Sequence, residues 1–251
     1  MTEPQPVESV FSRAWELLTR NWIIIVPGIV VGVIVGVVTA LLTPASYSTD
    51  YANDPNAALA TVGGAVLRGT ILAGVGILGY IVNQAYTVGM AGAAWERGTT
   101  TLADGAASFR EDAGRIILTA IGLVGLGIVA AILAIPTLTL SLLAFWVFTL
   151  YAMPAAIIGN REGFTSITES FQIATKRFVP TIIIAIVLAV ISFCVRFIAL
   201  LFTFAPFVGP IVAAVLVQIA VAFATLVIVG EYLTLRNAGS IPPPAPPNPM
   251  T

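Results

Sequence analysis

The sequence predicts an all-α integral membrane protein with six transmembrane helices. The 251 residues are 58% hydrophobic and only 9% charged, whereas about 25% of residues are charged in a soluble domain. The mean hydropathy is +1.01. Apolar runs long enough to cross a hydrocarbon core of about 30 Å recur along the chain. We place these spans at residues 22–42, 67–90, 116–135, 137–159, 180–201 and 207–229.

The composition argues against several classes of function. The chain has no histidine and a single cysteine, Cys194, which excludes an internal disulfide, the usual Cys/His zinc sites and a histidine acid–base pair. We expect Cys194 to pack as a small apolar residue. The formal net charge of −1 provides no basic surface for nucleic acid. The sequence therefore predicts a protein that is not an enzyme and has no cofactor, metal or nucleic-acid partner.

Three amphipathic segments precede membrane spans, and we interpret them as helices on the membrane surface. Each has apolar residues at spacings of three and four and polar residues on the opposite face. A cap is predicted at Thr101 and Asp104 in the second segment, and a capping box at Ser166 and Glu169 in the third. The other acidic residues of the second segment are expected to be solvated.

The three segments share a regular spacing. In each one, an aromatic residue stands seven positions before the next apolar run. We therefore expect a pseudo-threefold repeat, whose unit is an interfacial helix followed by a transmembrane hairpin. Aromatic side chains favour the headgroup region of a membrane, and the expected interfacial anchors are Trp15, Trp22, Phe109 and Phe171.

The basic residues orient the chain. All but two of the Lys and Arg residues fall in the surface segments or at the ends of spans on one side. By the positive-inside rule this predicts cytoplasmic N- and C-termini and cytoplasmic surface helices, in the plasma (inner) membrane. The exceptions, Arg68 and Arg196, lie near the outer ends of spans. We expect them to extend to the headgroups or to pair with Asp50 or Asp54; a functional charge in the membrane is the alternative.

Two further sets of residues lie within the spans. Gly28, Gly32 and Gly36 form two overlapping GxxxG steps, a smooth face that another helix can approach closely. Amide side chains in the second and sixth spans form the other set. We favour interhelical hydrogen bonds for them, with a polar site for a solute or a lipid headgroup as the alternative. These amide residues are Asn83, Gln84 and Gln218.

The chain is expected to form one membrane domain over residues 1–236. Residues 237–251 are rich in proline, so we predict a disordered or polyproline-II tail. Its PxxP spacing, for example Pro243 to Pro246, has no flanking arginine, and a plain extension is favoured over a docking peptide.

Three stretches of the sequence resemble a known family. They are VFSRAWELLTRNWIIIVPGIV, DGAASFREDAGRIILTAIGL and FTLYAMPAAIIGNREGFTSITESFQIATKRF. Over about residues 7–235 the chain resembles prokaryotic six-helix membrane proteins that are similar to the membrane domain of glycerophosphoryl diester phosphodiesterase. The resemblance implies the six-helix fold, and most members of this group have no assigned function. It implies no catalytic residue, because the phosphodiesterase acts through a separate soluble barrel that this sequence lacks.

These observations predict a non-enzymatic protein that acts by helix packing. It would be an accessory or assembly subunit of a membrane complex, or a protein that organises lipid. The small-residue faces and an expected scarcity of buried charge favour this hypothesis. The expected partners are membrane lipid and protein subunits, or further copies of the chain. The alternative is a transporter or channel for an apolar or amphiphilic solute, which needs a polar path through the bundle.

Overall fold

The computed structural model describes residues 6–42, 55–202 and 208–244. Within these ranges the chain is helical and has no strands, and six helical segments are long and apolar enough to cross a membrane. The prediction of an all-helical, multi-pass membrane protein is confirmed. The helices are α1 Val7–Arg20, a 3-10 turn Trp22–Ile25, α2 Val26–Leu42, α3 Pro55–Arg97, α4 Leu102–Ala134, α5 Leu140–Phe148, α6 Ala152–Ile157, α7 Gly163–Lys176, α8 Phe178–Phe202 and α9 Val208–Asn237.

The first and third surface segments end in the same way. α1 stops at Asn21, with φ −122° and ψ 52°, and α7 stops at Arg177, with φ −118° and ψ 45°. The Asn21 side chain stabilises its turn, because its amide donates to the Gly98 carbonyl and its oxygen accepts the Thr100 backbone N–H. These non-helical residues separate a short helix of 14 residues from the apolar segment that follows it.

The second segment differs, because no helix end separates the predicted surface helix from the predicted span at residue 116. α4 runs without a break from Leu102 to Ala134. The sequence around Ile116 contains no proline, and Gly114, a residue type that can end a helix, lies within α4. The predicted cap at its start is present. Asp104 accepts a hydrogen bond from the Thr101 backbone N–H at 2.7 Å, which completes a capping box.

The capping box predicted in the third segment is also wrong. α7 begins at Gly163, so Ser166 lies in its first turn and donates to the Gly163 carbonyl at 2.6 Å. The chain turns earlier than the pattern indicated, because Asn160 and Gly163 have φ values of 56° and 38°. Glu169 is therefore inside the helix, where its carboxylate faces the bundle.

The fourth span is a broken helix rather than a continuous one. α5 and α6 are separated by residues 149–151, and Ser170 of α7 satisfies the backbone groups that the break leaves free. Its hydroxyl accepts the Tyr151 N–H at 3.0 Å and donates to the Phe148 carbonyl at 2.7 Å. A break at this depth requires such partners, because lipid offers none.

The buried core lies at the end of the bundle where the charged residues collect. It is formed mainly by α1, the C-terminal halves of α3 and α9, and α6. Towards the other end, large apolar side chains are exposed, such as Val33 at 61% and Phe193 at 71%, as expected for surfaces that meet lipid. Cys194 is also exposed on α8.

The beginning of the proline-rich tail is in contact with the bundle. α9 extends to Asn237, and beyond it Ile241 packs against the core. The Arg161 guanidinium donates to the Pro243 carbonyl at 2.9 Å. Residues 241–243 of the tail therefore lie against the bundle, and residues 245–251 lie outside the described residues.

Candidate functional site

A cavity of about 670 Å³ lies among the membrane-spanning helices. Its walls come from α3, α4, α5, α6, α8 and α9, and all its lining residues belong to five of the six candidate spans. Protein cavities that bind one small molecule typically measure about 300–1,000 Å³. The cavity therefore has the size of a ligand site within the depth of the membrane.

One face of α3 runs along the whole cavity. Ala73, Ile77, Tyr80, Gln84 and Val88 all line it, and their spacings of three and four place them on one side of the helix. From Ala73 to Val88 the helix rises by roughly 22 Å. The cavity is therefore elongated along the helix axis, as a chain-like molecule would require.

The broken helix supplies the opposite wall. Because the chain turns at residues 149–151, side chains from both sides of the break line the cavity, among them Trp146, Met153 and Pro154. The two hydrogen bonds of Ser170 fix this turn. Phe171, one residue further along α7, stacks on Phe148, with ring centroids 5.1 Å apart and an interplanar angle of 14°. α7 therefore positions this wall from outside the cavity.

The lining is apolar with few polar groups. Among the described residues, no charged side chain lines the cavity. Four hydroxyls of described residues line it. Those of Thr149 and Thr225 donate to the carbonyls four residues earlier in the chain, at 2.7 and 3.0 Å, whereas those of Tyr80 and Ser192 make no hydrogen bond with a described residue. The Gln84 amide makes no hydrogen bond with a described residue. It is therefore available to a bound molecule.

The three predicted intramembrane amides do not converge. Gln84 lines the cavity, whereas Asn83 is buried at 8% exposure and accepts a hydrogen bond from Thr87 through its side-chain oxygen at 3.2 Å. Gln218 lies against Gly28 in α2, where its side chain occupies the space that a Cβ on the glycine would need. A polar path through all three residues, which the transporter hypothesis requires, is not formed.

The predicted glycine face has a neighbour at one position. Gly28 packs on Gln218, but no described atom lies within 4 Å of where a Cβ on Gly32 or Gly36 would stand. The close approach expected at those two glycines is therefore not made by the described part of this chain.

The two outer arginines lie outside the cavity. Arg68, half-buried on α3, has its guanidinium beside Gly64, and Arg196 is exposed on α8. Their predicted partners Asp50 and Asp54 are not among the described residues.

The four predicted interfacial anchors have two kinds of environment. Trp15 and Trp22 are 57% and 67% exposed, so both rings present surface that can meet headgroups, although the Trp15 ring also packs edge-on against Phe223, with centroids 6.0 Å apart. Phe109 is half-buried beside Tyr86, with ring centroids 5.8 Å apart. Phe171 is 38% exposed and stacks inside the bundle on one side.

Several charges at one end of the bundle are buried, which corrects the expectation of little buried charge. Glu169 is 6% exposed. Its carboxylate accepts hydrogen bonds from Arg161 Nε at 2.6 Å and from the Tyr232 hydroxyl at 2.7 Å. Asp112, expected to be solvated, is 8% exposed and paired with Arg115. The contacts of Glu169 connect α7, α9 and the turn between α6 and α7, whereas the Asp112–Arg115 pair lies within α4.

Glu231 is the most deeply buried of the acidic groups, at 1% exposure. One carboxylate oxygen lies 3.9 Å from the Arg177 guanidinium. The other, like the hydroxyl of Thr181, has no hydrogen-bond partner among the described residues. A signal for this burial was present in the sequence, because apolar residues continue beyond Glu231 with Tyr232 and Leu233.

The fold and the cavity define a class of protein, a multi-pass helical membrane protein with a ligand-sized, partly open space between its helices. No family model matches the chain, and neither a curated protein nor a solved structure matches it. The resemblance to the phosphodiesterase membrane domain stays a prediction.

Proposed function

We propose that this protein is a non-enzymatic membrane protein that holds and organises an amphiphilic molecule within its helix bundle. The cavity of about 670 Å³ carries the proposal. Its size fits one ligand, and its apolar lining with few polar groups is typical of such sites. Among the described residues, the lining brings together no nucleophile and base, which favours binding over catalysis.

We further propose an orientation, in which the charged end faces the cytoplasm across the plasma membrane, as the positive-inside rule indicates. α1 and α7 would lie at the interface. Their matching ends at Asn21 and Arg177 support this arrangement and the repeat of surface helix plus hairpin. The continuous α4 would be a unit in which the two parts have fused. The same fold supports membership of the phosphodiesterase-like group as a proposal.

Filling the cavity tests the proposed function. Ala224 lines the cavity from α9, while Ala214 is exposed on the same helix and does not line it. We expect Ala224→Phe to weaken binding between about 5-fold and 100-fold, because overpacking of this kind costs about 1–3 kcal/mol. Ala214→Phe should leave binding unchanged. The measurement is the amount of amphiphile that co-purifies with each variant, by mass spectrometry of extracts.

Two results would contradict the proposal. One is wild-type protein that carries no amphiphile after gentle extraction from native membranes. The other is an Ala224→Phe variant that carries as much as the Ala214→Phe control.

A transporter of the same amphiphile is the alternative, and the length of the cavity along α3 favours testing it. Flux of the molecule across vesicles that is lost in Ala224→Phe and retained in Ala214→Phe would make the protein a transporter. Binding without flux would support the organising role.

The open glycine face favours a second candidate function, that of an accessory subunit. Gly32→Ile together with Gly36→Ile would block close approach of a partner helix to α2. If a partner binds there, the wild-type protein should migrate on a native gel in a complex of fixed composition, and the double variant should not. Gly125→Ile is the control, because Gly125 is an equally open glycine on α4. Migration of the wild-type protein alone would exclude this candidate.

A further inference from the structure

We infer that the cavity binds an uncharged amphiphile with a single hydroxyl or carbonyl head, and that Gln84 forms the hydrogen bond to that head. This inference rests on the proposed function and names the class of molecule that the site accepts.

The absence of charged side chains from the described lining indicates that the ligand is uncharged. A carboxylate, phosphate or ammonium group moved from water into an apolar cavity loses its hydration, and only an opposite charge or several hydrogen bonds would compensate. The buried acid Glu169 is already paired with Arg161, and neither residue lines the cavity. A phospholipid headgroup or a fatty-acid anion inside the cavity would therefore have no partner of opposite charge.

The chemistry of Gln84 indicates the hydroxyl or carbonyl head of the ligand. Its amide offers both a donor and an acceptor, so it suits a hydroxyl or a carbonyl equally. The lining hydroxyls of Thr149 and Thr225 are already used within their own segments, whereas the Gln84 amide, like the hydroxyls of Tyr80 and Ser192, has no partner among the described residues. Of these three groups, Gln84 alone carries its donor and its acceptor on separate atoms, so it can serve either kind of head.

The position of Gln84 also sets the direction of the bound molecule. Gln84 is one turn from Val88, the lining residue of α3 closest to the charged end. In the other direction the cavity continues to Ala73, which is roughly 16 Å away along the helix. The head of the ligand would therefore lie towards the charged end, and its apolar chain would extend along α3 towards the opposite end.

Trp146 provides a reporter inside the site, because it lines the cavity from α5. Bromine quenches indole fluorescence at contact, so three matched probes can be compared: a terminally brominated undecanol, the corresponding carboxylate and the corresponding hydrocarbon. The protein is reconstituted in phosphatidylcholine vesicles. The other tryptophans are also quenched by brominated probes. Quenching at the site is therefore the difference between the quenching of the wild-type protein and that of Trp146→Phe.

We expect saturable quenching of Trp146 by the bromo-alcohol, and at least about tenfold weaker binding of the ionised carboxylate. Gln84→Leu and Gln84→Met should weaken alcohol binding by about 2-fold to 10-fold, the value of one neutral hydrogen bond. They should leave hydrocarbon binding unchanged. Gln218→Leu is the control, because this amide lies on Gly28 outside the cavity, and it should bind all three probes like the wild type.

The outcomes separate the inference from the proposed function. Saturable quenching with equal affinity for alcohol and carboxylate would overturn the inference and leave the proposed function standing. Unchanged alcohol affinity in folded Gln84 variants would overturn the role of Gln84. If no probe gives saturable quenching of Trp146, both the inference and the binding function fail. The comparison of probes on the wild type does not depend on whether a variant folds.

Discussion

Replacing Arg161 by methionine should lower the free energy of unfolding by about 3–5 kcal/mol, because the change leaves a buried carboxylate without its partner. The carboxylate belongs to Glu169, which is 6% exposed, and Arg161 Nε lies 2.6 Å from it. The hydroxyl of Tyr232 remains as its only other described partner, and a neutral hydroxyl does not compensate a charge. Methionine retains an apolar side chain of similar length, so the loss of stability measures the contribution of the guanidinium group.

This prediction is measured by unfolding in mixed micelles with increasing denaturing detergent, followed by circular dichroism. Arg110→Met is the matched control, because Arg110 is exposed on α4 and makes no ion pair with a described residue; its effect should stay within about 0.5 kcal/mol. Adding Glu169→Leu to Arg161→Met should recover part of the loss, because the unpaired charge is then gone. An Arg161 variant as stable as the control would mean that the pair contributes nothing.

Gly230→Ala should destabilise the protein by about 1–3 kcal/mol through overpacking. A Cβ at this position of α9 would overlap the indole of Trp95. That ring is 8% exposed and fixed on two sides. Its Nε1 donates to the Leu226 carbonyl at 2.8 Å, and the Arg13 guanidinium stands 4.9 Å above the ring centroid. Any shift that admits the methyl group weakens these contacts.

Gly125→Ala is the control for this substitution. It makes the same chemical change in a helix, but nothing lies within 4 Å of the added Cβ. Alanine favours a helix over glycine by up to about 1 kcal/mol, so this variant should be at least as stable as the wild type. In the same micelle titration, we expect the free energy of unfolding to fall in Gly230→Ala and to stay the same or rise in Gly125→Ala. Two variants that change stability in the same direction would contradict the packing explanation.

Hydropathy was sufficient to predict the six apolar segments, because the requirement to cross a hydrocarbon core acts on composition alone. It did not predict where helices break. The uninterrupted α4 and the break between α5 and α6 depend on contacts outside the segment. Ser170 in α7, for example, satisfies the backbone around Tyr151. A single serine carries no such meaning in a sequence.

The candidate site was predicted only in part. Gln84 was identified as an intramembrane amide, but the sequence grouped it with Gln218, which faces α2 instead. The cavity itself has no sequence signal, since empty volume arises from how six helical segments diverge. The face of small and polar residues on α3 that includes Gly76 and Tyr80 was the one available hint.

Buried charge was misjudged for a related reason. The Ser166–x–x–Glu169 pattern has the same letters whether the glutamate caps a helix or forms an ion pair inside the bundle. The positive φ values at Asn160 and Gly163 decided between them by starting α7 earlier. These angles depend on packing around the turn and cannot be read from spacing.

The length of α3 has a consequence for the side of the protein opposite the charged end. This helix has 43 residues, which correspond to about 65 Å at 1.5 Å per residue, whereas a bilayer with its headgroups measures about 40–45 Å. Even at a tilt of about 40° the helix would still span about 50 Å. Trp95 and Arg97 fix its C-terminal end beside the charged residues. With the charged end at the membrane interface, as proposed above, the surplus would project from the opposite face as a helical stalk, accessible to a water-soluble protease and to whatever binds the protein from that side.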